Sequence, residues 1–355
     1  MSSVRAVDVG YGNTKYVLAH PTSGDVQCAL FPSVAVQANS SADLTAGALQ
    51  RLNTVVVEVN GVQFEVGKDA DLAQDLTHAR VLDRDFCKTD IYLALLRGAL
   101  HYMGCPSLDL LVLGLPLNTF GTLQHTLAKR VKGCHPVPAF AIGAPGRAVG
   151  LPTHAEVLVR EVYLLPQPLG ALFDHAIQQG QFAKLQSHTS LIVDVGFFTF
   201  DWLFSHGVKP IASRSGAVNG GLSAILSVIA AGVGKQFDAQ ITNVKRLDQA
   251  LRTGTSLRLF GQEHDITHHI SAGEAKAREF VAAMASRVGD GADVDNIILC
   301  GGGAHFFHAL VREKYPRHNV VIARDPVFAN LRGFQLAGEQ RVRLHDAQLR
   351  PSATA

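Results

Sequence analysis

The triplet Asp-Val-Gly occurs twice in this chain of 355 residues, at Asp8-Val9-Gly10 and again at Asp194-Val195-Gly196. Each copy closes an apolar run and opens a short turn into a second apolar run. An Asp at the tip of a buried strand, followed by a tight hairpin, brings one carboxylate and several backbone N–H groups to one point. That donor set suits a phosphate with its metal. The repeat predicts two like units that each end in such a hairpin.

Length and composition agree with this duplication. A chain of 355 residues accommodates two domains of ordinary size. With 47% hydrophobic and 17% charged residues, it is expected to be compact rather than disordered or fibrous. The formal net charge is only +2, which argues against strong direct binding of nucleic acid. Five cysteines, an odd number with no C-x-x-C pair, argue for reduced thiols and a cytoplasmic location. The sequence is strand-like from Val4, without the pattern of a signal peptide. The longest apolar stretches, 108–117 and 224–233, fall short of the ~20 residues that cross a bilayer, so no membrane association is expected.

Patterning predicts a meander of strands over 4–9, 16–19 and 26–31, with turns at 10–14 and 21–25. A hairpin is expected at 55–59 and 62–66 around Asn60-Gly61. A helix over 90–102 leads to a buried strand at 110–114, and a strand over 157–165 stops at Pro166-Gln167-Pro168, where a helix over 169–177 begins. This holds Gln167 at a strand-to-helix corner. The second half restarts with strands over 191–195, 198–204 and 209–213, then helices over 222–231, 245–251 and 272–288. A short strand at 296–299, broken by Gly301, Gly302 and Gly303, a helix from 328 and a frayed tail at 349–355 complete the chain.

Within the first block, Gly10 and Gly12 let backbone amides approach phosphate oxygens, Asn13 and Thr14 offer hydrogen bonds, Lys15 brings a positive charge, and Asp8 can hold magnesium through water. Alone, the block reads equally well as a plain strand–turn–strand. Its companion, Asp194 to Asp201, carries Gly196 and Thr199 and lowers the odds of coincidence.

Taken in order, these blocks resemble the actin, Hsp70 and sugar-kinase ATPase superfamily. The spellings Phe31-Pro32-Ser33, Gly114-Leu115-Pro116-Leu117, Pro166-Gln167-Pro168-Leu169-Gly170-Ala171 and Phe328-Ala329-Asn330-Leu331-Arg332-Gly333-Phe334 are similar to bacterial plasmid-segregation actins of the ParM/StbA type, including the form found in PRTRC gene systems. The resemblance implies an α/β, actin-like, duplicated ribonuclease H-like fold with nucleotide in the interdomain cleft. Domain I would span 1–183, with an insertion at about 34–85 and a completing helix at 328–348; domain II would span 184–327.

By the same resemblance, the cofactors are ATP or GTP with Mg2+. Asp8 and Asp194 would hold the metal through its water shell, while Lys15 and the Gly12 to Thr14 amides contact phosphates. Gly196 and Thr199 would line the phosphates from the second block. Gln167 would orient the attacking water, and its neutrality implies slow hydrolysis. Gly216, Gly220, Gly221, Gly301, Gly302 and Gly303 would form the nucleoside side, with Lys245 at the adenine or ribose edge. The implied activity is filament-coupled ATP hydrolysis, with self-association and a DNA-binding adaptor at a plasmid partition site as partners.

One departure stands out: Phe197-Phe198 replaces the Gly-Gly of many relatives. The rings either point into the core and leave the backbone open or narrow the phosphate site. A non-hydrolysing scaffold and a small-molecule kinase of the same superfamily remain the alternatives. Other features read as structural: Glu263 to His269 as a polar surface loop rather than a zinc site, Pro136 to Pro152 as a surface loop, Trp202 as core, and Arg246, Arg252 and Arg258 as solvated helix side.

Overall fold

A computed structural model describes residues 3–19, 25–38, 52–72, 83–139, 154–180, 182–241, 244–254 and 256–349. Part of the expected insertion, the turn at 21–25 and the tail after Leu349 fall outside the described residues wholly or in part.

The first half runs β1 (Val4–Val9), β2 (Asn13–Ala19), β3 (Gln27–Pro32), β4 (Val36–Gln37), β5 (Thr54–Val59), β6 (Val62–Gly67), α1 (Asp90–Met103), β7 (Ser107–Leu115), α2 (Leu117–Val131), β8 (Gly133–Pro138), β9 (His154–Pro166) and α3 (Gln167–Gln178). The second runs α4 (Phe182–Leu185), β10 (Thr189–Val195), β11 (Thr199–His206), β12 (Lys209–Pro210), β13 (Gly216–Asn219), α5 (Gly221–Phe237), α6 (Val244–Thr253), β14 (Ser256–Leu259), β15 (Gln262–Asp265), α7 (Thr267–Val288), β16 (Asn296–Cys300), α8 (Ala304–Lys314), β17 (Val320–Ile322) and α9 (Ala329–Leu349).

The two principal sheets repeat one plan. The first has the order β3-β2-β1-β7-β9-β8, and the second β12-β11-β10-β16-β17, with β13 also on β11. In both, the Asp-bearing strand pairs antiparallel with the strand after its hairpin and parallel with a later strand: β1 with β2 and β7, β10 with β11 and β16. These inner strands are buried along most of their length and read as mainly apolar runs, with the Asp of β1 and of β10 one residue from the strand end.

Local chemistry sets the element ends. Thr89 caps α1 by accepting from Tyr92 N–H, and Gly104 closes it in the left-handed conformation. Asn60 and Gly61, both at positive φ, make the turn between β5 and β6, which form a three-stranded sheet with β4.

The chain divides into two compact units, Met1–Leu115, Thr119–Asp174 and Asn330–Ala355 in one, and Pro116–Asn118 and His175–Ala329 in the other. Each has its own core. That of the first packs Val7, Val9, Phe31, Leu96, Leu111 and Leu113 among others; that of the second packs Val193, Phe200, Trp202, Ile225, Phe280 and Phe307. No helix among the described residues is long and apolar enough to cross a membrane.

Four expectations need correction. Arg258 lies in β14, not on a helix, because the α6 helix ends at Thr253. Pro136 and Pro138 belong to β8, not to a loop; β8 is an edge strand, where proline costs no ladder bond, while the stretch 140–153 lies outside the described residues. The third strand of the second meander ends at Pro210, because Ile211 turns back onto Phe204 O and Arg214 onto Ile211 O. Residues 263–269 form the end of β15 and the start of α7. His264 and His268 therefore do not share a helix, and no cluster of three or more potential metal ligands of the His, Cys, Asp and Glu types occurs among the described residues.

The tightest packing lies in the first unit, where α3 crosses α9. A Cβ placed on Gly333 would stand 1.8 Å from Gly170 O, so backbone meets backbone directly. Gly333→Ala is expected to destabilise the fold by about 3 kcal/mol or more, the upper range for overpacking. Urea unfolding checks this, and wild-type stability in the variant would refute the close crossing.

Candidate functional site

The first hairpin is braced from below. Gly10 N–H donates to Asn13 O at 3.2 Å, while Ser33, just past β3, donates its N–H to Gly12 O at 3.0 Å and its hydroxyl to Gly10 O at 2.5 Å. Thr14 Oγ1 lies 3.0 Å from Ser33 Oγ. Thr14 is fully buried, with its hydroxyl committed to this brace, and what it can offer a ligand is its backbone.

Register places Lys15 directly across from Asp8. The Asp8 carboxylate is buried, with Lys15 Nζ at 2.7 Å from Oδ2 and Gln167 Nε2 donating to Oδ1 at 2.7 Å. Gln167 opens α3 immediately after β9 ends at Pro166, and Pro168 in the first helical turn has no N–H to leave unsatisfied. The structure thus brings together Asp8, Lys15 and Gln167, which are distant in sequence in the last case.

The second hairpin follows the same plan. Gly196 N–H donates to Thr199 O at 2.9 Å, as Gly10 does to Asn13. The start of α5 grips it: Leu222 N–H donates to Gly196 O at 3.0 Å, Ser223 N–H to Phe197 O at 2.7 Å, and Gly220 N–H to Phe198 O at 2.5 Å. Gly221 packs on the hairpin backbone, where a Cβ would stand 2.5 Å from Gly196 O. Phe197 packs against the core of this unit, and Phe198 is half-buried.

At the position equivalent to Lys15 stands Asp201, directly across from Asp194. Both are buried. Burial, reinforced by the Asp194 charge, pushes the Asp201 carboxyl up to about 7, against hydrogen bonds from the Thr199 hydroxyl and the Leu117 N–H that favour its ionised form. The Leu117 N–H lies 3.1 Å from Asp201 Oδ1. Across the ladder from its Asp the second hairpin thus carries a carboxylate, where the first carries the Lys15 ammonium that pairs with Asp8.

The remaining glycines divide. Gly301, at φ +83, lies against the Asp194 strand end: a Cβ there would stand 2.4 Å from Val195 O and 2.5 Å from Asp194 Oδ1. Gly303 N–H donates to Val195 O at 3.0 Å, so this turn is tied to β10. Gly302 has Arg252 Nη2 at 3.5 Å from its Cβ position. Arg252 sits seven residues after the exposed Lys245 on α6 and is held by Asp248 at 3.0 Å. Gly216 packs on the Trp202 indole, 2.5 Å from the position of a Cβ, and is opposite Trp202 in the sheet, back from the hairpin tip.

Comparison with known proteins fits this duplicated plan. The family of actin-like protein N-terminal domains matches residues 6–170, and that of the archaeal actin homologue MreB-like C-terminal domain matches residues 192–313. The chain is built of actin-like domains. The archaeal actin homologue Ta0583 is similar in structure, with a TM-score of 0.74 at 20% identity over 95% of this chain and 99% of that one. A subunit of a 15-stranded ParM filament from Clostridium botulinum gives 0.70 at 20% identity, covering 96% and 99%. The apo pSK41 ParM protein gives 0.67 at 17%, covering 97% and 99%. No curated protein matches by sequence.

Some residues around the two hairpins escape sequence reading. Asp201 carried a signal, the same seven-residue spacing from Asp194 that separates Lys15 from Asp8. The approach of Arg252 to Gly302 joins distant segments and had no local signal. The role of Ser33 depends on strand pairing and had no local signal.

Asp201 makes a checkable contribution to stability. Its folded carboxyl binds a proton more tightly than an ordinary Asp of pKa about 3.9, so stability falls as pH rises from about 4 towards 7 and is level above. Asp201→Asn should flatten that slope and be the more stable protein at pH 8 in magnesium-free buffer. Parallel urea-denaturation profiles at pH 5 and pH 8 for the two proteins would contradict this.

Proposed function

We propose that this actin-like protein binds ATP with Mg2+, assembles into filaments in that state and hydrolyses the nucleotide slowly. We further propose that the filaments segregate plasmid DNA in the cytoplasm through a DNA-binding adaptor. The observation that carries the reading is the pair of matched hairpins, each with a buried Asp at its tip, one of them hydrogen-bonded to Gln167. Likeness to a ParM filament and to an archaeal actin homologue crystallised with ADP supports self-association and nucleotide binding.

In this reading Asp8 and Asp194 hold the metal through water, and the paired carboxylates of Asp194 and Asp201 suit a cation. The magnesium nucleotide supplies the triphosphate and the neutralising charge. Lys15, 2.7 Å from Asp8, exchanges one anionic partner for another as it turns to phosphate. The backbone of 10–14 and of 196–199, with carbonyls tied down by Ser33 and α5, cradles phosphate oxygens. Gln167 donates its Nε2 proton to Asp8 and keeps Oε1 for a water. A neutral amide takes up no proton, so its work is orientation, and turnover is slow. Gly302, Arg252 and Lys245 form the nucleoside side. Phe197, directed into its own core, leaves that cradle to the backbone.

Light scattering and phosphate release with and without ATP, together with electron microscopy, test the reading. ATP-dependent scattering, filaments and release are expected. Scattering without release would favour the scaffold, and release only with an added acceptor the kinase. Gln167→Ala should slow release by about 10-fold or more while changing nucleotide affinity by no more than about twofold. The reverse pattern would remove Gln167 from its role.

A further inference from the structure

Gln167 stands at the head of a stripe on α3 that continues through Gly170, Ala171 and Asp174, at the spacing that shares one helix face. Gly170 and Asp174 on that stripe meet α9. Arg332 donates from Nε to Asp174 Oδ1 at 3.0 Å and from Nη2 to Oδ2 at 2.7 Å, a two-pronged pair with side chains 6% and 2% exposed. One residue on, Gly333 lies directly on Gly170. The next, Phe334, is wholly buried, and its ring fills the places where side chains on Gly114 and Gly170 would stand, 2.4 Å and 2.7 Å from those Cβ positions. Gln167 Cγ approaches the same Gly114 position at 2.9 Å. The stem of Gln167 and the Phe334 ring therefore share one notch at the end of β7.

This arrangement fixes both the rotation and the height of α3. The paired fork of Arg332 resists twisting, the Gly170–Gly333 contact sets the depth, and the Phe334 ring backs the Gln167 stem. Gln167 is the first helical residue and has only its side-chain torsions with which to compensate for a shift of the helix. We infer that α9 sets the reach of Gln167 towards Asp8, with Arg332 and Phe334 as positioning residues for hydrolysis. The inference rests on the reading of the chain as an ATPase with Gln167 orienting water. A water-orienting group works only in a narrow geometric range, and misplacement by about 1 Å can cost on the order of 100-fold.

The test is a pair of variants and a double-mutant cycle on the full chain. Arg332→Lys keeps the charge but loses the fork; Phe334→Leu keeps an apolar filler but loses the ring. Both are first checked for cooperative melting and for sedimentation with ATP. The expected result is that kcat for phosphate release falls about 10-fold in each, with KM and affinity for a non-hydrolysable ATP analogue within about twofold of wild type. In a Gln167→Ala background, adding Arg332→Lys should change kcat by less than about twofold, since the residue acts through Gln167. Undiminished kcat in whichever variant folds, or a full independent loss on top of Gln167→Ala, would overturn the inference while leaving the ATPase reading intact. Wild-type turnover in Gln167→Ala alone would remove Gln167 from its water-orienting role and the inference with it, whereas no ATP turnover in the wild type would remove the ATPase reading itself.

Discussion

A carboxylate placed at the tip of a buried strand demands a partner, and both units of this protein are organised around that demand. The hairpin register puts the seventh residue after each Asp directly across the ladder, so the choice made there decides the chemistry of the tip. In the first unit the choice is Lys15, and Asp8 is internally neutralised. In the second it is Asp201, whose carboxyl burial and the neighbouring Asp194 charge push up to about 7. Identical topology thus presents two electrostatically different loops.

The scaffolding beneath each tip is different, too. Ser33 and the strand that carries it brace the first hairpin, whereas the second rests on the opening amides of α5. Helix α3 brings Gln167 to the first tip, and its own crossing with α9 is glycine-tight. Such backbone-on-backbone contact leaves little room for relaxation.

Much of this was legible in the chain. Asp8 and Asp194 announced the strand tips, and the repeated order of apolar runs predicted the two meanders, since period-two and continuous apolar patterns survive in a sequence without tertiary information. The actin-like fold followed from their order. What the pattern could not carry were contacts across distant segments: Ser33 under Gly10, Arg332 on Asp174, Arg252 over Gly302. The prolines of β8 misled because they break central strands yet are harmless on an edge. Nor did any local pattern announce that Gly216 packs on Trp202 or that Gly220 and Gly221 lie against the second hairpin.

The proposed function has Asp8 and Asp194 serve one magnesium-bound nucleotide. Calorimetric titration of a non-hydrolysable ATP analogue, with and without Mg2+, into wild type, Asp8→Asn, Asp194→Asn and the double variant measures it directly. Each single change should weaken the magnesium-dependent part of binding by about 10-fold or more, and the double should lose little beyond the worse single. Unaltered affinity in either single variant, or losses that simply add, would contradict the account.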